Sequence, residues 1–302
     1  MFIAEIEEIG GDGVFSIAIF GTCRVRDFWS SCVNSGLANV TYSVTGFSQT
    51  IEQASQLFRF INGNSDMPPH VQMLCYDRYI GGFDGFDEDR IMLGRKQLEN
   101  VDMFAIEIST TKEFVFDGHS LSIDRLMDLV KSDNSGQLLD WFSNLSRGMP
   151  VDRQEGSVLD VKFPKDLQVE ITGTGKHFTY QKEIITDIIN NTVMFSRAED
   201  EVREQLFSIK NEFLKPIIAI PAPTFSGKKI PEREQIVSIL ENSIDDIGFK
   251  IFNPSEIISE FGVENSMMGG GKDVNHYESE FLVHLGEKFV EYSQKIWNEI
   301  SN

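Results

Sequence analysis

Positive charge is scarce in this chain: 27 Lys and Arg stand against 47 Asp and Glu, a formal net charge of −20 over 302 residues. A field of that sign repels polyanions at long range, so nucleic acid is not an expected partner. Cysteine is scarce too. Cys23, Cys32 and Cys75 are an odd number with no CxxC pair, which argues against a disulfide framework and a zinc knuckle and fits a reducing compartment. His70, His119, His177 and His284 are scattered without ligand spacing, and no metal is predicted. Nowhere do about 18 apolar residues run together, so no membrane-spanning helix is expected. The opening MFIAEIEEIGGDG is acidic where a signal peptide needs basic residues, and a soluble, cytoplasmic chain is the expectation.

What is present is a core. Hydrophobic residues make up 41% of the chain and aromatics 11%, enough to stabilise a large folded unit. Val14–Phe20 reads as a strand buried on both faces, followed by a helix from Arg26 to Leu37. Val40–Val44 reads as a second strand, with Thr45-Gly46-Phe47 as a turn and Gln49–Ile61 as a helix. Further strands are expected at Val71–Tyr76, Val101–Ile108, Pro216–Pro221 and Gly248–Phe252, with helices at Glu232–Ile247 and Ser279–Ile300. Strands alternating with helices predict a three-layer α/β sandwich around a mostly parallel, flavodoxin-like sheet. Between 111 and 215 the pattern becomes mainly helical, with pieces at Leu121–Val130, Gln137–Leu145 and Glu199–Phe213. This reads as a lid-like insertion within a single domain spanning 1–302.

In such sheets ligands bind beyond the carboxyl ends of the strands. The residues found there are Gly21-Thr22-Cys23-Arg24, Thr45-Gly46-Phe47, Glu107-Ile108-Ser109-Thr110 and Pro221-Ala222-Pro223, together with Lys272-Asp273-Val274-Asn275-His276-Tyr277 before the last helix. Gly269-Gly270-Gly271-Lys272 and Ser226-Gly227-Lys228-Lys229 lack the spacing of a phosphate loop. Glu107, a carboxylate near the end of an apolar strand, needs a partner and is expected to pair with an arginine.

Gly21-Thr22-Cys23 in place of Gly-Asp-Ser, Val44-Thr45-Gly46, and the DxxH block Asp273–His276 together resemble the SGNH/GDSL hydrolase superfamily. The likeness is nearest to its cysteine-containing branch of GSCFA-type and capsule-biosynthesis acyltransferase-like proteins. It covers the sheet-forming parts, roughly 14–111 and 216–300. It implies a Cys23 nucleophile, a His276 base oriented by Asp273, and an oxyanion hole to which Gly46 lends an amide. The family's GxND block has no counterpart after the Val101–Ile108 strand, where Ser109 and Thr110 stand as substitute donors.

Independently of the likeness, Cys23 sits between a buried strand and a helix, where the helix dipole and Arg24 and Arg26 favour thiolate. A thiolate there needs a base within reach. The bland reading remains beside it: a cysteine after a strand is more often a small buried hydrophobe. Three functions stay open. The first is acyl transfer or hydrolysis on an ester or thioester by a Cys-His-Asp triad, with a small-molecule or sugar-linked acyl substrate and no required cofactor. The second is a coenzyme A-dependent acetyltransferase-like protein in which Arg24, Arg26 and Lys228 meet phosphates. The third is a binding protein that has kept the fold and lost catalysis.

Overall fold

The computed structural model describes residues 15–34, 43–65, 67–75, 79–80, 83–84, 88–131, 137–146, 168–173, 176–225 and 230–301. Five strands, Ile17–Gly21, Ser43–Phe47, Met103–Ile108, Ile217–Pro221 and Lys250–Ile251, form a parallel sheet. Taken in chain order, they lie side by side as 2-1-3-4-5. This is the flavodoxin-like order, and its switch point falls between the first and third strands.

Alternation along each strand divides the core in two. Ala18, Phe20, Phe104, Ile106, Ile217 and Ala219 face one layer, shared with helices Ile51–Ile61, Glu199–Phe213 and Pro231–Ile247. Ile17, Ile19, Met103, Ala105, Ile218 and Ile220 face the other, shared with helices Cys23–Asn34, Pro254–Phe261 and Ser279–Ser301. Each large apolar side chain so buried contributes about 1.5–3 kcal/mol, and the three layers follow from that division. In the second layer Phe28 and Phe289 meet with ring centroids 5.4 Å apart. Helix Ser279–Ser301 comes so close to helix Cys23–Asn34 that a Cβ on Gly286 would run into Cys32 Sγ and the Phe28 carbonyl. Glycine is required there for closeness, not for backbone freedom.

The segment between the third and fourth sheet strands is helical at Ile123–Lys131, Gln137–Ser146, Lys182–Asn191 and Glu199–Phe213. It also holds short antiparallel strands that the sequence reading did not anticipate. Lys112–Phe116 pairs with His119–Leu121 and Val193–Ser196, and Gln168–Gly173 pairs with Lys176–Gln181. Leu121, Leu126, Ile188 and Leu206 of this segment join the first core layer.

Three local expectations need correction. Val71–Tyr76 was expected as a strand, yet Pro69–Cys75 is a helix; Pro69 opens it, where a missing N–H costs nothing. Thr45-Gly46-Phe47 continues the second strand instead of turning, because it pairs in register with Ile19-Phe20-Gly21. The first helix begins at Cys23, three residues before Arg26. Val40–Tyr42 and, within the 111–215 segment, residues 132–136, 147–167 and 174–175 lie outside the described residues.

Candidate active site at the sheet switch point

The site is assembled from the ends of the first and third strands and one loop. Position 107 continues the face of Met103 and Ala105, which turns its carboxylate toward the first helix. Thr22 caps that helix: its Oγ1 accepts from the Arg24 N–H at 3.3 Å, a standard N-cap arrangement. The same hydroxyl donates to Glu107 Oε2 at 2.6 Å, and the Thr22 amide donates to that oxygen at 2.5 Å. Gly21 makes room for this. A Cβ there would lie 2.9 Å from Glu107 Cβ and 3.0 Å from its Oε2.

The other carboxylate oxygen is held by Arg24, whose Nε and Nη2 donate to Glu107 Oε1 at 2.8 and 2.6 Å. The pair is buried, with 9% and 1% of the two side chains exposed. Burial pulls the arginine toward neutrality, but Glu107 more than compensates and holds it protonated. The expected partner for Glu107 is therefore Arg24, while Arg26 lies exposed beside Asp27 at 3.4 Å.

Arg24 reaches further. Its Nη1 donates to Asn275 Oδ1 at 3.2 Å, and the same oxygen accepts from Arg233 Nη2 at 2.7 Å. Arg233 also donates through Nη1 to the carbonyls of Pro223 and Val274, both at 3.1 Å. Arg233, at the start of helix Pro231–Ile247, was not singled out from the sequence. Burial and the neighbouring Arg24 push its ionisation downward.

Beyond Asn275 in the loop, His276 Nδ1 and Asp273 Oδ2 lie 2.7 Å apart, with about half of each side chain exposed. Asp273 Oδ1 accepts from the Asn275 amide at 2.8 Å. That amide, then the His276 ring, hold the Asp273 carboxyl below its ordinary value. The next residue, Tyr277, is buried. Burial pushes its phenol up, and Arg24, Glu107, Arg233 and Cys23 are the titratable groups that act on it.

Cys23 is the first residue of its helix and is partly buried. Its two arginines were expected to favour thiolate. The balance runs the other way: burial and then Asp27 push the thiol up, with Glu107 adding to them, against Arg24 and Arg26. Each arginine arrives with its own carboxylate, so neither acts as a free positive charge. Among the described residues no hydrogen bond joins Cys23 to His276. Cys32 and Cys75 are fully buried, and burial pushes Cys32 up to about 11.

The oxyanion candidates are placed as follows. Gly46 lies within the edge strand, opposite Phe20. The Ser109 amide and hydroxyl donate to the Gln49 carbonyl at 2.9 and 3.3 Å. Thr110 donates through its hydroxyl to Glu232 at 2.5 Å. Lys228 lies outside the described residues. Among those residues no helix is long and apolar enough to cross a membrane, and no cluster of three or more His, Cys, Asp and Glu side chains is arranged to hold a metal.

No curated protein matches the chain at a significant level. A family model does match, over residues 15–292. With the whole of the sheet, the Thr22–Glu107–Arg24 cluster and the Asp273–His276 loop inside that span, the chain belongs to the TviD N-terminal domain family.

Proposed function

We propose that this protein is an acyl-transfer enzyme of polysaccharide biosynthesis, in which Cys23 accepts an acyl group from an ester or thioester and a sugar hydroxyl receives it. Membership of the TviD N-terminal domain family supports the setting of polysaccharide biosynthesis. One observation carries the site: Arg24, next to Cys23, is hydrogen-bonded to Asn275, next to His276. That bond ties the helix start to the DxxH loop across the carboxyl end of the sheet, where ligands of such folds bind.

In this reading His276 removes the Cys23 proton, which a thiol raised by burial and by Asp27 does not release by itself near neutrality. Asp273 fixes the imidazole through Nδ1, leaving Nε2 to work. Sulfur attacks the acyl carbon, and the leaving oxygen or thiol departs with the proton from His276. The acceptor hydroxyl then gives its proton to His276 and attacks the thioester, which releases Cys23. Acyl-coenzyme A serves as donor in the second form of the reading, and coenzyme A is the thiol that leaves. Arg24 is then a poor phosphate ligand, because it is buried and its charge is already paired with Glu107, and the contact falls to Arg26 and Lys228.

The test is intact-protein and peptide mass spectrometry after brief exposure to p-nitrophenyl acetate or acetyl-coenzyme A. One acetyl group on the peptide carrying Cys23, absent in Cys23→Ala, is the expected result. Acetylation confined to Cys32, Cys75 or lysines would overturn the nucleophile. The raised Cys23 thiol also favours a second reading, a binding protein without catalysis, and an unmodified Cys23 with every acyl donor would select it.

A further inference from the structure

We propose that Asn275 supplies the oxyanion-hole donor for which the sequence offers no GxND asparagine. The inference rests on Cys23 being the acyl acceptor. Its own evidence is the orientation of one carboxamide. Two guanidinium groups, Arg24 Nη1 at 3.2 Å and Arg233 Nη2 at 2.7 Å, donate to the same atom of Asn275. Guanidinium nitrogens only donate, so that atom is the oxygen and the amide nitrogen faces away from both arginines. Its N–H groups meet no acceptor among the described residues, and Asn275 is exposed. A carboxamide whose oxygen is fixed and whose nitrogen is free is a donor awaiting an acceptor.

Position and electrostatics support the assignment. Asn275 lies between the two members of the Asp273–His276 pair in sequence and is bonded to the residue after Cys23. Two cationic donors on a carboxamide oxygen draw electron density from its nitrogen, which strengthens the N–H groups as donors. The arginines are also an unbalanced pair. Glu107 neutralises Arg24, while Arg233 has no carboxylate within ion-pairing distance among the described residues and rests on two backbone carbonyls and Asn275. Holding the unpaired Arg233 charge partly buried beside Arg24 costs energy in the resting protein. It is offset when negative charge develops beside them, as on the carbonyl oxygen when Cys23 attacks. The amide of Cys23, at the first helical position and without a partner among the described residues, completes a two-donor hole.

Ser109 and Thr110 were the sequence candidates for this role, and their donors are already given to Gln49 and Glu232. Asn275 is the donor with nothing to hold.

The experiment compares Asn275→Asp and Asn275→Ala with wild type, measuring Cys23 acetylation by p-nitrophenyl acetate together with the melting temperature. Aspartate keeps an oxygen for both arginines but removes the N–H donors. Asn275→Asp is expected to hold or raise the melting temperature while acetylation slows on the order of 10²–10³-fold, with kcat falling and KM unchanged. Asn275→Ala is expected to slow it comparably. If Asn275→Asp acetylates at the wild-type rate, Asn275 only braces the arginines and the inference falls while the nucleophile stands. If wild-type Cys23 is never acetylated, the acyl-transfer reading falls, and this inference with it.

Discussion

Two carboxylates of this site are each paired with a basic side chain, Glu107 with Arg24 and Asp273 with His276, at nearly equal distances of 2.6 and 2.7 Å. They differ in solvent. The first pair is 9% and 1% exposed; the second is 49% and 41% exposed. Burial makes the Glu107 pair a fixed structural charge, since separating it would strand an ion in low dielectric. Exposure leaves the Asp273 pair in contact with solvent, as the general base proposed above requires. The same kind of pair is thus buried on one side of Asn275 and open to solvent on the other.

The comparison breaks most sharply with His276→Ala. Acyl transfer is expected to fall on the order of 10³–10⁴-fold with an unchanged denaturation midpoint, because an exposed ring contributes little to stability. Activity near wild type would place the base elsewhere. Glu107→Gln is expected to do the reverse first: it leaves Arg24 buried without its counter-ion and costs about 3–5 kcal/mol of stability, read by urea denaturation. A loss under about 1 kcal/mol would mean that water reaches the pair and the contrast is false. Gly21→Ala tests the space behind Glu107, and its Cβ, 2.9 Å from that side chain, is expected to cost about 1–3 kcal/mol in the same assay. The smallest effect concerns the thiol. Cys23 faces Asp27, Arg24, Glu107, Arg26 and Tyr277, and Asp27 is the leading charge that raises it. Its alkylation by iodoacetamide should rise with pH as thiol becomes thiolate. Asp27→Asn lowers the folded-state value, so the variant should react a few-fold faster at neutral pH and equally fast once both are ionised. No difference at neutral pH would show that Asp27 does not raise the thiol.

Much of the fold was legible because sheet strands buried on both faces are short apolar runs. Met103–Ile108 and Ile217–Pro221 lie inside the runs read from the sequence, and helix Glu199–Phe213 has the bounds expected. Val71–Tyr76 was misread because a short apolar run fits a buried helix equally well, and only Pro69 at its start distinguishes them. Asp117-Gly118 was a readable hairpin signal that went unread. Both residues have positive φ, 49° and 76°, as the two-residue turn between Lys112–Phe116 and His119–Leu121 requires. In the site, Cys23, Asp273 and His276 stood out by motif. Glu107 stood out by being charged in an apolar strand. Arg233 gave no such signal: it lies in a helix start rich in charge, Pro231-Glu232-Arg233-Glu234, and only the fold reveals that it alone of these four turns inward onto Asn275.

The glycine at 286 has a reach beyond its own contact. It sets how near helix Ser279–Ser301 lies to helix Cys23–Asn34, pressing on Cys32 and the Phe28 carbonyl. The first of those helices continues directly from the loop that bears His276, and the second opens with Cys23. The spacing of the two helices near their starts is therefore gauged roughly two turns into helix Ser279–Ser301, by the one residue type that adds no thickness.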